Sequence, residues 1–417
     1  MVARGSATTL PSTLSNLLQK ADTAPSKARR FNLFAYGFRP HFLAAGLAAF
    51  VLVPLWAMSF ALGLPLGNDW PPTLWHAHEM LFGFVAAAIG GFMLTAVPSW
   101  TSQRGFAGRP LVVVSALWLL GRLLVATSSF WPSALVALVD VMFLPAIAFL
   151  IAPLLLREGN RNTPLLAVLA VLSLANVAFH ILVARANAPL AGRMLLVAID
   201  VVLLLITVIG GRIVPAFTAA ALKNRGDLGT AANIKGLTPV AIAVMAAVII
   251  LDGGWPGSLA AGWIAATAAV VHAARLLQWR TLRTLRDPLV WVLHLAYLWL
   301  PIGFSLKAIA LLNGAAFAAF WLHALTIGAA ATMILGVMTR AALGHTGRPL
   351  VVSPLITAAY LLLSAAAFVR VFGLAVSGQS YPVLILLAAI LWTAAFGLYL
   401  LVYTPILVGP RADGKPG

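Results

Sequence analysis

The side chains of this sequence that could do chemistry are concentrated at Trp75-His76-Ala77-His78-Glu79-Met80. Two imidazoles and a carboxylate stand there at the mouth of an apolar run that ends near Pro98. Such groups are expensive in hydrocarbon, so at the start of a membrane helix they mark a functional site. An imidazole in that setting is either a metal ligand or a hydrogen-bond partner between helices. The sequence has no Cys, which removes disulfides, thiolate ligands and cysteine-bound iron–sulfur clusters. Any metal must be held by His, Met, carboxylate or a cofactor ring.

The elements that position these groups follow from composition. Of the 417 residues 62% are hydrophobic and only 9% charged, where a globular chain carries about a quarter charged residues. Apolar runs of roughly 20 residues recur from end to end without the period-2 alternation of barrel strands. The fold class is therefore all-α, a polytopic membrane helix bundle in the lipid bilayer. Twelve spans are expected, at 41–63, 76–98, 110–127, 132–156, 163–183, 193–222, 238–251, 258–280, 289–311, 316–339, 350–370 and 381–405. Gly210-Gly211-Arg212 and Pro215 are expected to break the long sixth span near its end. Residues 1–35 lack the continuous apolar core of a signal peptide and read as a disordered cytoplasmic tail. Residues 36–408 form the twelve-helix domain, and 409–417 a second short tail.

The net charge of +17 suits basic loops at an anionic cytoplasmic face better than nucleic acid, and no nucleic-acid partner is expected. Arg104, Arg109, Arg157, Arg161, Lys223, Arg225, Lys235, Arg280, Arg283, Arg286, Arg340 and Arg348 all fall in alternate loops. The other loops hold Asp69, Asp252 and Arg185. Both termini are thus expected in the cytoplasm, which turns position along a span into depth, at about 1.5 Å per residue. His76, His78, Glu79, Asp140, His180, Asp200 and His323 share the outer layer; Arg212, His272, Arg275 and His294 form a thinner inner one. Each has a plain structural reading. His180, His272 and His294 can be hydrogen-bond partners between helices. Arg122 with Asp140, and Arg193 with Asp200, can be ion pairs near the interface, and Lys307 and Arg370 can snorkel to the headgroups. His41 and His345 sit where water is available.

Spans two and ten resemble each other. His78 is followed five residues later by Gly83, and His323 five residues later by Gly328. Both lead into loops closing with Gly-Arg-Pro-Leu, at 108–111 and 347–350. Part of the pattern returns in span six, where Pro215-Ala-Phe-Thr218 answers Pro98-Ser-Trp-Thr101, which hints at a threefold repeat of four helices. In this the chain resembles, distantly, the catalytic subunit of haem–copper oxidases and nitric oxide reductases, which holds a haem between histidines of its second and tenth helices. No His-His pair lies in span seven and no His-Pro-Glu in span six. The oxygen-reducing centre of that family is therefore not implied.

Longer motifs carry a closer resemblance. Phe38-Arg39-Pro40, Trp75-His-Ala-His-Glu-Met-Leu-Phe-Gly-Phe84, Leu94-Thr-Ala-Val-Pro98, Gly211-Arg-Ile-Val-Pro215, His323-Ala-Leu-Thr-Ile-Gly328 and Gly344-His-Thr-Gly-Arg348 together resemble the NnrS family. His41 departs from it, since an aromatic residue is expected after Arg-Pro. The resemblance implies a multi-pass protein of the bacterial inner membrane, with haem and copper, linked to nitric oxide and nitrosative stress in denitrifiers and pathogens. It allows binding, sensing or an oxidoreductase acting on nitric oxide, and implies an electron donor without naming one.

With that cofactor in view, His78 and His323 are the expected axial pair of a haem b, which no Cys-x-x-Cys-His would tether. His76 is the alternative to His78, because successive helical residues turn by about 100° and the two cannot point the same way. Glu79 shares a face with His76 and could orient it. His76 and His180, with Met80, are candidates for copper. Arg193 on the outer side or Arg212 on the inner would suit haem propionates, and His272 with His294 is the second-ranked clamp. The reading from another class is a secondary transporter, which twelve spans and a broken sixth helix would fit. A b-type electron-transfer cytochrome is a further alternative, and a purely structural assembly factor another.

Overall fold

A computed structural model describes residues 31–63, 70–157, 160–227, 236–373 and 381–415. Most of the expected 1–35 tail lies outside these residues. Among them there is no strand, and twelve helices are long and apolar enough to cross a membrane. In chain order they are α1 (Phe38–Leu62), α2 (Pro72–Trp100), α3 (Arg109–Ala126), α4 (Ser133–Arg157), α5 (Pro164–Ala184), α6 (Ala188–Asn224), α7 (Leu237–Gly254), α8 (Leu259–Leu277), α9 (Pro288–Asn313), α10 (Ala316–His345), α11 (Pro354–Gly373) and α12 (Tyr381–Val408). Several open with Pro in the first turn, where its missing N–H costs nothing. Alternation puts the ends of odd helices and the starts of even ones on one side, here the distal face. The arginine-rich loops lie on the other, basic face.

α1 packs against α12, and α12 against α11, so the two ends of the chain close the bundle. The most apolar stretch of α2 is 83% buried inside the bundle, against 28% for α7. α2 is therefore central and α7 peripheral. The outward faces carry Leu119, Leu123, Phe149, Leu174, Trp263 and Val270, apolar surface of the kind that a bilayer covers. Glycine lets helices approach: a Cβ on Gly91 would come within 2.7 Å of the Phe42 ring.

Three helices change to wider π winding: α2 at Glu79–Val85, α10 at Ala324–Ala331 and α11 at Val369–Gly373. The first starts immediately after His78 and the second immediately after His323. Such segments recur at functional sites, because a widened turn re-aims the side chains around it.

The expected break in the sixth span is absent. α6 runs unbroken for 37 residues through Pro215. Gly211 serves packing instead: the Arg275 guanidinium occupies the space a Cβ would take and donates to the Thr207 carbonyl at 2.9 Å.

Two of the sequence motifs do structural work at the basic face. Arg39 donates to the carbonyls of Leu407 at 2.8 Å and Gly409 at 2.7 Å, satisfying the open C-terminal end of α12. Arg411 donates to the His345 carbonyl at 2.8 Å and binds Asp413, while the Ala412 amide donates to Thr346 at 2.9 Å. The hydrogen bond from Arg411 holds the Asp413 carboxyl below the usual carboxylate range. His41, expected near water, is buried, with Nδ1 2.9 Å from the Gly37 carbonyl.

Candidate functional site

His76 and His78 belong to different sites in the distal half of the bundle. The site that holds His76 is a cavity of about 300 Å³ among α1, α2, α6, α10, α11 and α12. His76 enters from α2 and His323 from α10, and Arg370 of α11 also lines it. The His76 ring stacks on Trp56 at 4.2 Å, which fixes its plane. Ala330, Ala331, Ala388 and Ala389 give a flat wall, and Phe84 and Trp392 an aromatic one. All three π segments contribute to the lining. Nδ1 of His76, Nε1 of Trp56 and one terminal nitrogen of Arg370 are buried without a protein partner, an unusual concentration at one place. Met80 lines this cavity as well.

The second site is a closed cage between α2, α3, α4 and α5. His78 Nε2 lies 3.1 Å from Asp140 Oδ2 and 3.0 Å from Asn176 Oδ1. His180 Nε2 approaches the same Asp140 oxygen at 2.9 Å. Glu79 meets His78 Nδ1 at 3.1 Å, and Arg122 ion-pairs with both Glu79 and Asp140. All six side chains are buried. Trp70 sits edge-on over His78 and His180, and beside it a groove of about 760 Å³, also lined by His180, Ser128 and Trp131, faces the distal side. One ligand atom each from His78, Asp140 and His180 lies within 4.8 Å of the others, close enough to share a metal ion. Two imidazoles and a carboxylate suit iron, copper or zinc.

The remaining expected residues fall elsewhere. Glu79 turns to His78 and Arg122, not to His76. Arg193 donates to the Gly254 carbonyl at 3.5 Å, and Arg212 to Asn162 at 2.7 Å; neither lines the cavity. Among the described residues no ion pair joins Arg193 to Asp200. Lys307 and Arg370 do not snorkel: both are buried, Lys307 against Asp252 and Arg370 over the Phe320 ring. His272 Nδ1 is bound to the Tyr297 hydroxyl at 2.9 Å. Both nitrogens of His294 are taken, by Thr218 at 2.7 Å and Thr281 at 3.0 Å. That is the plain structural reading for His294.

Asn176 and Trp70 of the cage and Trp56 of the cavity escaped the sequence reading, and Asp140 entered it as a member of the outer polar layer and a partner for Arg122, not as a metal ligand. A signal existed for Asp140, since a carboxylate in a span needs partners and His180 lies at the same depth.

The family model for NnrS protein matches residues 32–411. No curated protein matches the chain.

Proposed function

The chain belongs to the NnrS family of nitric-oxide-related membrane proteins, and on that premise we propose that it is a haem-binding protein of the bacterial inner membrane that binds or turns over nitric oxide. The observation that carries this reading is the cavity with an imidazole entering from each of α2 and α10. Its residues fit a flat, largely apolar macrocycle. The alanine wall leaves room for a ring, two histidines on separate helices suit axial ligation, and the Arg370 guanidinium suits a propionate. The three unpartnered buried polar atoms around it are groups that a ligand would satisfy.

His76 and His323 would hold the iron, with Trp56 keeping the His76 ring in place. A haem held there would supply an iron able to bind nitric oxide or to pass electrons. The surrounding Leu, Ile, Val and Phe side chains exclude water, and a small uncharged gas partitions readily into such a lining. The cage of His78, Asp140 and His180 would hold a second first-row metal, of which copper is the one the family suggests. Its donors are imidazole and carboxylate, with Met80 facing the other site.

Replacing His76 or His323 by Ala is the test. Each change should abolish the Soret band of the purified protein, while His78→Ala keeps it. A spectrum unchanged in both variants overturns the assignment. Electron transfer by a b-type cytochrome is a second reading, favoured by the same pair, since two imidazoles that both held the iron would leave it no place for a gas. Adding nitric oxide to the reduced protein separates the two readings: a shifted Soret band means a displaceable ligand. The continuous α6 removes one ground for a transporter.

A further inference from the structure

Asp200, Asp252 and Lys307 come from α6, α7 and α9, and each is no more than 1% exposed. Lys307 Nζ ion-pairs with Asp252, and its ammonium lies 4.7 Å from the centre of the Trp321 ring on α10. Asp200 interacts electrostatically with both Lys307 and Asp252. Neither oxygen of Asp200, nor Oδ1 of Asp252, finds a donor among the described residues. On the helix of Asp200 itself the next charge toward the distal end is Arg193, about two turns away.

Two carboxylates and one ammonium leave a net negative charge, which a low-dielectric interior penalises. Asp200 and Asp252, on the packed helices α6 and α7, interact with each other, and three of their four carboxyl oxygens are acceptors without a donor among the described residues. One proton removes both costs, since it neutralises the cluster and gives the pair its missing donor. We propose that Asp200 and Asp252 share one exchangeable proton beside Lys307, forming a buried proton-holding site. The site lies toward the distal face. Asp252 is in the last turn of α7, and the Gly254 carbonyl at the end of that helix already receives Arg193 at the surface. Its neighbour across α6 is the cavity of His76 and His323, because Ile199, Val202 and Leu203, next to Asp200 in sequence, line that wall. The site thus stores a proton one helix wall from the chamber.

Infrared spectroscopy of the purified full-length protein, with exchange into heavy water, tests this without any cofactor readout. The wild type should show a buried carboxylic-acid carbonyl band that shifts on deuteration, and Asp200→Asn should abolish it. Asp252→Asn should also abolish it, because Asp200 then ionises to pair with Lys307. Lys307→Met should protonate both carboxyls and raise the band about twofold. Absence of the band in the wild type, or its survival in Asp200→Asn, overturns the proposal. So does a wild-type band that sodium chloride removes, which would make this a metal-cation site.

Discussion

His76 and His78, neighbours but one on α2, face apart: His76 stacks on Trp56 of α1 at 4.2 Å, whereas His78 Nε2 reaches Asp140 of α4 at 3.1 Å. Successive helical residues turn by about 100°, so residues two apart point in nearly opposite directions. One short motif therefore supplies a histidine to each of two sites, and the sites should be separable by mutation.

His78→Ala and His180→Ala are expected to remove the second metal while leaving the haem absorbance intact. Asn176→Ala, which removes a support of both His78 and Asp140, should weaken metal binding by about 10–100-fold. Elemental analysis beside the visible spectrum measures both in one preparation. Full metal content in His180→Ala would reduce the cage to a hydrogen-bond network.

Arg122 is the only cation among the cage residues, and it serves two carboxylates, Glu79 and Asp140. In the metal-free protein Arg122→Leu leaves both buried without a counter-charge and should destabilise it by about 3–5 kcal/mol. Glu79→Gln added to Arg122→Leu should recover part of that loss. Thermal unfolding midpoints in detergent decide it; equal midpoints for the wild type and Arg122→Leu contradict it.

The helices were legible because apolar length and loop charge are properties of single segments. All twelve fall within a few residues of their expected places, the largest departures being the start of α6, five residues earlier, and the end of α10, six residues later. The opposed facing of His76 and His78 was legible for the same reason, being a matter of local pitch. Which of them meets His323 was not. That depends on the rotation of α10 against α2, and both helices widen to π winding just beyond their histidines. Lys307 misled in a related way: near a helix end it could have reached the headgroups, had Asp252 not been brought beside it by α7. Gly211-Arg-Ile-Val-Pro215 looked like a break because it joins helix-weakening residues, yet the glycine is there for the Arg275 side chain.

Arg39 caps the end of α12 from α1, and so ties the last helix to the first. Arg39→Ala should cost about 1.5–3 kcal/mol, the value of hydrogen bonds made by a charged group. The effect should be confined to the basic face. Hydrogen exchange over 400–411 should accelerate while the haem band is retained. Loss of haem in this variant would mean that the cap also sets the cavity wall.

The Arg411–Asp413 clasp gives an acid-sensitive tail. Arg411 holds the Asp413 carboxyl below its ordinary range, so the clasp is fully present above the unfolded carboxyl value of about 4. It is lost as pH falls toward the lower folded-state value. The protection factor of the Ala412 amide, which donates to Thr346, should therefore be flat at neutral pH and fall in acid. Arg411→Ala should lower it at neutral pH and remove the dependence.

Gly328 lies in the π segment that follows His323, and a Cβ there would run into the indole of Trp299 on α9. Trp299 is itself buried, with Nε1 unpartnered, so it has little room to retreat. Gly328→Ala should cost about 1–3 kcal/mol by overpacking. The strain falls one turn from His323, and the cheapest relief is a shift of that turn, which moves the imidazole against the cavity. Haem occupancy should therefore fall in Gly328→Ala although no ligand is changed. Gly344 of the same helix is the control, because the nearest atom to a Cβ there is a Leu350 methyl at 3.8 Å, an ordinary contact. Gly344→Ala should keep both haem and stability. If the two variants behave alike, the π segment does not position His323.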